Sequence, residues 1–140
     1  MESDVIAYFK RDRFAELLGI KILTANPGYA KGMLEVRPEH LNGFRVIQGG
    51  VIFTLADFIC AVACNADGQH SVSVNASISY IKSGTGSVIY AEAKELVSNS
   101  RLSSYEVIIT NDKEERIATF QGMCYRKRET LSEVIQRLPD

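Results

Sequence analysis

The chain of 140 residues predicts an α+β fold: an antiparallel six-stranded sheet wrapped around one long buried helix. Three observations lead there. Between Val51 and Cys64 every residue is apolar except Thr54 and Asp57, and a helix apolar nearly all round belongs inside a protein. Two short extended runs precede that stretch and four longer ones follow it. Turn residues at Asn26-Pro27-Gly28, Ser83-Gly84-Thr85-Gly86, Ser98-Asn99-Ser100 and Asn111-Asp112-Lys113 separate the runs.

Taken in order, Val5 to Leu18 mixes Val5, Ile6, Phe9, Phe14, Leu17 and Leu18 with charged residues and reads as one amphipathic helix, stopped by Gly19. Ile20–Ala25 and Tyr29–Val36 form a hairpin, the second strand placing Ala30, Gly32, Leu34 and Val36 on one side. Arg37 to Gln48 is an irregular connection, and such loops commonly carry binding groups. In Val51–Cys64, Leu55, Ala56, Ala61 and Ala63 favour helix over strand. Asp67-Gly68 ends the helix. Four strands follow: Ser71–Ile81, with Val72, Val74, Ile78 and Tyr80 in phase, then Ser87–Val97, Leu102–Thr110 and Glu115–Arg126. Thr130–Leu138 is expected to be a short, polar, peripheral helix.

Length and balance predict a single domain, 1–140: hydrophobic residues make up 46% and charged residues 24%, an ordinary globular ratio. A net charge of −1 gives no electrostatic case for nucleic acid or an acidic membrane as partner. Met1-Glu-Ser-Asp-Val5 has neither a basic nor an apolar segment of a signal peptide, so a cytoplasmic location is expected. The three cysteines, Cys60, Cys64 and Cys124, are odd in number and read as small core residues. His40 and His70 lack zinc-ligand spacing, so no metal is expected, and both are assigned to surface loops.

The chemistry gathers on the apolar helix. Gly50, Thr54, Asp57, Ala61 and Cys64 fall on one small or polar stripe, while Ile52, Leu55, Ile59 and Val62 fill the opposite side. Asp57 is either a single hydrogen-bonded carboxylate in a packed helix or a working base or nucleophile beside a cavity. Upstream, Gly49-Gly50 opens the helix, where backbone N–H groups lack internal partners and the dipole is positive. Glycine lets a ligand oxygen approach that backbone closely. An oxyanion-binding amide at Gly49 and a carboxylate at Asp57 are two parts needed for acyl transfer.

Leu41-Asn42-Gly43, Gln48-Gly49-Gly50, Leu55-Ala56-Asp57 and Ala63-Cys64-Asn65 together resemble the phenylacetate-degradation type of hotdog-fold acyl-CoA thioesterase. The likeness runs from about Phe14 to Arg126. It implies a hotdog fold, an acyl-CoA substrate, no separate cofactor, and a homodimer or dimer of dimers with the thioester held between two chains. By position, the Gly49 N–H would polarise the thioester carbonyl and Asp57 of the facing chain would activate water or attack. Asn42 would place the water or the leaving group, and Ser73 would supply a hydroxyl near the acid. The sequence departs from the family at Gln48, where a histidine is usual; glutamine donates only an un-ionised amide hydrogen bond. An acyl-CoA-binding module without turnover is the alternative; a hotdog dehydratase would need an Asp/His pair, and neither histidine lies in that motif.

Gly50, Thr54, Lys82, Ser100 and Arg101 are the expected substrate contacts, with Arg126-Lys127-Arg128 as further candidates for the CoA phosphates. Phe53, Phe58 and Tyr80 are candidates for an aromatic acyl pocket, though core packing explains them equally well.

Overall fold

The molecule is built along helix α3 (Gly49–Asn65). The computed structural model describes residues 3–139. Helices α1 (Asp4–Phe9) and α2 (Arg13–Leu18) come first. Strands β1 (Ile20–Asn26) and β2 (Tyr29–Glu35) follow, then a 3-10 turn at Pro38–His40. After α3 come β3 (Gln69–Tyr80), β4 (Val88–Ser98), β5 (Leu102–Asn111), β6 (Arg116–Thr130) and helix α4 (Leu131–Arg137). One antiparallel sheet has the order β1-β2-β4-β5-β6-β3, with α3 packed on one face. This is the hotdog architecture.

Burial on α3 follows the expected bulky side. Ile52, Leu55, Ile59 and Val62 are buried against inward residues such as Ala30, Leu34, Ile89, Val107, Ile109 and Phe120. The helix lies so close to β2 that a Cβ on Gly32 would sit 2.2 Å from Ile59 Cδ1. Side chains larger than hydrogen would therefore push the helix off the sheet.

The amphipathic stretch expected as one helix over Val5–Leu18 is two. Asp12 interrupts it: its carboxylate accepts from the Ala15 N–H at 2.9 Å and N-caps α2. An aspartate in that role stabilises a new helix start more than it stabilises a helix interior. Gly19 does end α2, at φ +82°.

Strand β3 changes phase midway. A bulge between Ser73 and Asn75 leaves Ser73 opposite Cys124, and Ala76, Ile78 and Tyr80 opposite Gly122, Phe120 and Ala118. Directly opposed residues share a face, so Ser73, Ala76, Ile78 and Tyr80 look toward the helix. Val72 opposes the exposed Tyr125 on the outer side, so the continuous in-phase set from Val72 to Tyr80 does not exist. The extra residue of a bulge shifts alternation by one.

Helix α4 is less peripheral than its polarity suggests. Leu131 and Val134 are buried, and Thr130 and Glu133 form a capping box. Neither histidine is a surface loop residue. His40 is 1% exposed, and His70 lies on β3 at 9%, its Nδ1 3.3 Å from the Glu129 carboxylate. All three cysteines are buried and free. Hydrogen bonding to Cys124, then burial, pushes the Cys60 and Cys64 thiols well above the usual thiol range.

Candidate active site

The connection from β2 into α3 is held by its own side chains. His40 Nδ1 accepts from the Arg37 N–H at 2.9 Å, while Nε2 faces the Leu18 carbonyl at 2.9 Å. A carbonyl only accepts, so Nε2 carries the proton. The His40 carbonyl accepts from the Gln48 N–H at 2.8 Å. Asn42 shapes the loop between: its Oδ1 accepts from the Phe44 and Val46 N–H groups at 2.9 and 3.3 Å, and Leu41 bridges Ile47. Arg45 takes the left-handed φ of +62° that this tight loop requires. The Asn42 carbonyl oxygen is thus committed to the fold, leaving its NH2 group for other partners.

At the start of α3 the Gln48 side chain turns back, and its Oε1 accepts from the Gly50 N–H at 2.5 Å. The Tyr80 hydroxyl, from the end of β3, donates to the Gly49 carbonyl at 3.0 Å. Thr54 Oγ1 donates to the Gly50 carbonyl at 2.7 Å. Among the described residues no acceptor faces the Gly49 N–H. That amide is a free donor at a positive helix end.

Asp57 is half-buried, two turns along α3, and among the described residues nothing donates a hydrogen bond to its carboxylate. Burial raises its pKa above the usual carboxylate range, and the neighbouring Cys124 and Asp12 raise it further. Gly50, Thr54, Asp57 and Ala61 do form an incompletely covered stripe, but Cys64 is buried and closes it. Eight residues of helical rise separate Gly49 from Asp57 by about 12 Å along the axis. Ser73 is exposed and on the helix-facing side of β3, across the ladder from Cys124.

The charged candidates divide. Ser100 and Arg101 join Gln69, Arg126, Lys127 and Arg128 around a polar cavity of about 560 Å³. Arg126 is paired with Asp67 at 2.9 Å. Lys82 is elsewhere, in an ion pair with Glu115. The aromatic candidates also divide. Phe53 packs edge-on against Phe120 in the core, with centroids 5.5 Å apart. Phe58 joins Phe9, Ile6, Ala15, Ile20 and Ile22 around an apolar cavity of about 560 Å³ under α1 and α2. Tyr80 reaches Gly49 instead. Phe53 and Phe58 share α3 but, five residues apart, point to different sides of it, and Tyr80 lies on β3, so the three do not gather into one pocket. Among the described residues no group of three or more His, Cys, Asp or Glu is arranged to hold a metal ion. No helix among them is long and apolar enough to cross a membrane.

Two positions of consequence escaped the reading of residue types. His40 anchors the loop from inside, and the local signal was its position three residues after Arg37 behind Pro38, the spacing of a capping arrangement. The bond from Tyr80 to Gly49 spans 31 residues and has no local signal.

Known proteins resemble this chain in sequence and fold. Residues 44–118 match the model of the thioesterase superfamily. A putative esterase of Archaeoglobus fulgidus is 38% identical over 122 residues, covering 86% of this chain and 79% of the relative. The acyl-coenzyme A thioesterase PaaI of Escherichia coli is 31% identical over 121 residues, 86% of each chain. The solved structure of the E. coli PaaI protein superposes with a TM-score of 0.86 at 29% identity, over 91% of this chain and 93% of that one. With its helix-wrapping sheet and this extent of likeness, the chain belongs to the thioesterase superfamily.

Proposed function

We propose that the protein hydrolyses an aryl- or medium-chain acyl-CoA to the free acid and CoA. The observation that carries the reading is the unpaired Gly49 N–H at the N-terminus of α3 in a thioesterase-superfamily fold. An amide so placed stabilises the oxyanion formed when a thioester carbonyl is attacked. The likeness to E. coli acyl-coenzyme A thioesterase PaaI supports CoA as the thiol.

Gly49 and Asp57 of one chain are about 12 Å apart along the helix, too far to act on the same carbonyl carbon. In this reading the carboxylate comes from a facing copy, as the resemblance to hotdog thioesterases implies. In this mechanism Asp57 takes a proton from water as the water oxygen bonds to the thioester carbon, or attacks that carbon itself. The tetrahedral oxyanion is held by Gly49. The C–S bond then breaks and sulfur takes the electron pair. On the general-base route the free acid forms directly and CoA leaves as a thiolate or, with the proton from Asp57, as a thiol. On the nucleophilic route CoA leaves as a thiolate, and water then hydrolyses the Asp57–acyl anhydride to the free acid and the regenerated Asp57 carboxyl. In this reading the Asn42 NH2 and the Ser73 hydroxyl hold the water. Gly50 and Thr54 border the thioester. The cavity of Arg101, Ser100 and Arg126–Arg128 receives the CoA phosphates, a role for which Lys82 is poorly placed. Gln48 supplies no acid, and CoA thiolate leaves without one.

Asp57→Asn or Asp57→Ala is expected to lower kcat on acyl-CoA at least about a hundredfold with circular dichroism unchanged. Wild-type turnover in the Asp57→Ala variant, read by released thiol, removes Asp57 from the mechanism. A second reading, an acyl-CoA-binding module without turnover, is favoured by Gln48, whose amide oxygen is already committed to Gly50. Tight CoA binding with no thiol release in the wild type would select it.

A further inference from the structure

We infer that Tyr80 and Gln48 are positioning residues that clamp the Gly49–Gly50 peptide unit from both ends and thereby fix the backbone of Gly49, whose free N–H lies on the preceding peptide unit, itself held by the Gln48 carbonyl accepting from the Val51 N–H at 3.0 Å. The inference rests on the thioesterase reading of that amide.

The two bonds fall on one peptide plane. The Tyr80 hydroxyl donates to its carbonyl end, Gly49 C=O, at 3.0 Å. Gln48 Oε1 accepts from its amide end, Gly50 N–H, at 2.5 Å. Donation to a carbonyl polarises the peptide and strengthens the N–H at its other end, so each bond reinforces the other. Neither touches the Gly49 N–H, which stays free for the substrate.

Such a clamp answers a specific problem. Two successive glycines have wide backbone freedom, yet an oxyanion donor acts only when held in place before the reaction. The clamp also accounts for both glycines. A Cβ on Gly49 would lie 3.2 Å from Tyr80 Cζ and Oη, and one on Gly50 would lie 2.6 Å from Gln48 Oε1. A side chain at either position would push a clamp arm aside.

A role in helix capping alone does not account for Tyr80. A helix N-terminus lacks acceptors for its N–H groups, whereas its carbonyls already accept from residues one turn on. The hydroxyl bond to Gly49 C=O is additional to what the helix needs. Tyr80 is 51% exposed, so Tyr80→Phe removes the hydroxyl and leaves the ring.

The test compares wild type, Tyr80→Phe, Gln48→Ala and the double variant on an acyl-CoA substrate. The Gly50 amide is followed in parallel by hydrogen exchange and NMR. Each single variant is expected to lower kcat about tenfold, in keeping with the sensitivity of catalysis to small misplacements. KM is expected to stay within about twofold and the shape of the pH profile to be unchanged, since binding and proton transfer are not altered. The double variant is expected to lose less than the product of the two, because both act through one peptide unit. Gly50 exchange is expected to quicken in both single variants. Unchanged kcat with unchanged exchange in Tyr80→Phe overturns the inference, as does activity lost only in proportion to Tm. If the wild type hydrolyses no acyl-CoA, the thioesterase reading fails, and the exchange data alone decide the clamp: faster in Tyr80→Phe supports it, unchanged overturns it.

Discussion

Asp57 is the residue on which function and stability pull in opposite directions. Burial raises its pKa, so the folded protein binds a proton at this carboxyl more readily than the unfolded chain does. The sign follows: the ionised form weakens the fold above the folded-state pKa, and the penalty fades as pH falls through that value to the unfolded one near about 3.9. Asp57→Asn is therefore expected to melt higher than wild type at pH 7, with the gap closing at pH 3, while its turnover falls. Thermal melts at the two pH values check this; a lower Tm for Asp57→Asn at pH 7 contradicts it. That Asp57 was the anomalous residue was legible from the apolar run around it. That no described residue donates to it was not, because its potential partners come from other elements.

At the scale of elements, the loop before α3 decides where the Gly49 amide points. His40 ties the C-terminus of α2, the 3-10 turn and the first residues before α3 through three hydrogen bonds, two of them from its ring. His40→Ala removes both ring bonds and leaves the part-buried Arg37 N–H and Leu18 carbonyl without these partners. The expected loss is about 2 kcal/mol, read from the urea midpoint. An unchanged midpoint would show that the clip is dispensable. The N-terminal stretch gives the same lesson. Its hydrophobic spacing suits one helix, but the Asp12 cap restarts the chain, and the break opens the apolar cavity that Phe9 and Phe58 line. Local chemistry outweighed periodicity there. At the other end of α3, Asn65 plays a matching part: its side chain bonds the Ser71 N–H at 2.8 Å and the Ser71 carbonyl at 3.1 Å, pinning the helix end to β3.

For the whole molecule, the sheet ends on β3, a twelve-residue edge strand with Val74 exposed. A long edge of this kind invites pairing with another strand. The proposed shared site needs such a second copy. Gel filtration is expected to show a species of at least twice the 15.5 kDa chain mass, shifted toward the monomer by Val74→Lys. A wild-type monomer would remove the shared site.

The residue pattern by itself determined the order of the strands about the central helix and the side of that helix that is buried, since these follow from short-range periodicity and from what water excludes. It also marked Gly49 and Asp57 as unusual. Only the tertiary structure decided which donors and acceptors remain free. Tyr80 and Gly49, Cys124 and Ser73, and Arg101 and Arg126–Arg128 are brought together by strand register. Register is a long-range property: the bulge at Ser73–Asn75 turns the later residues of β3 to the opposite face, and no spacing in the chain announces it.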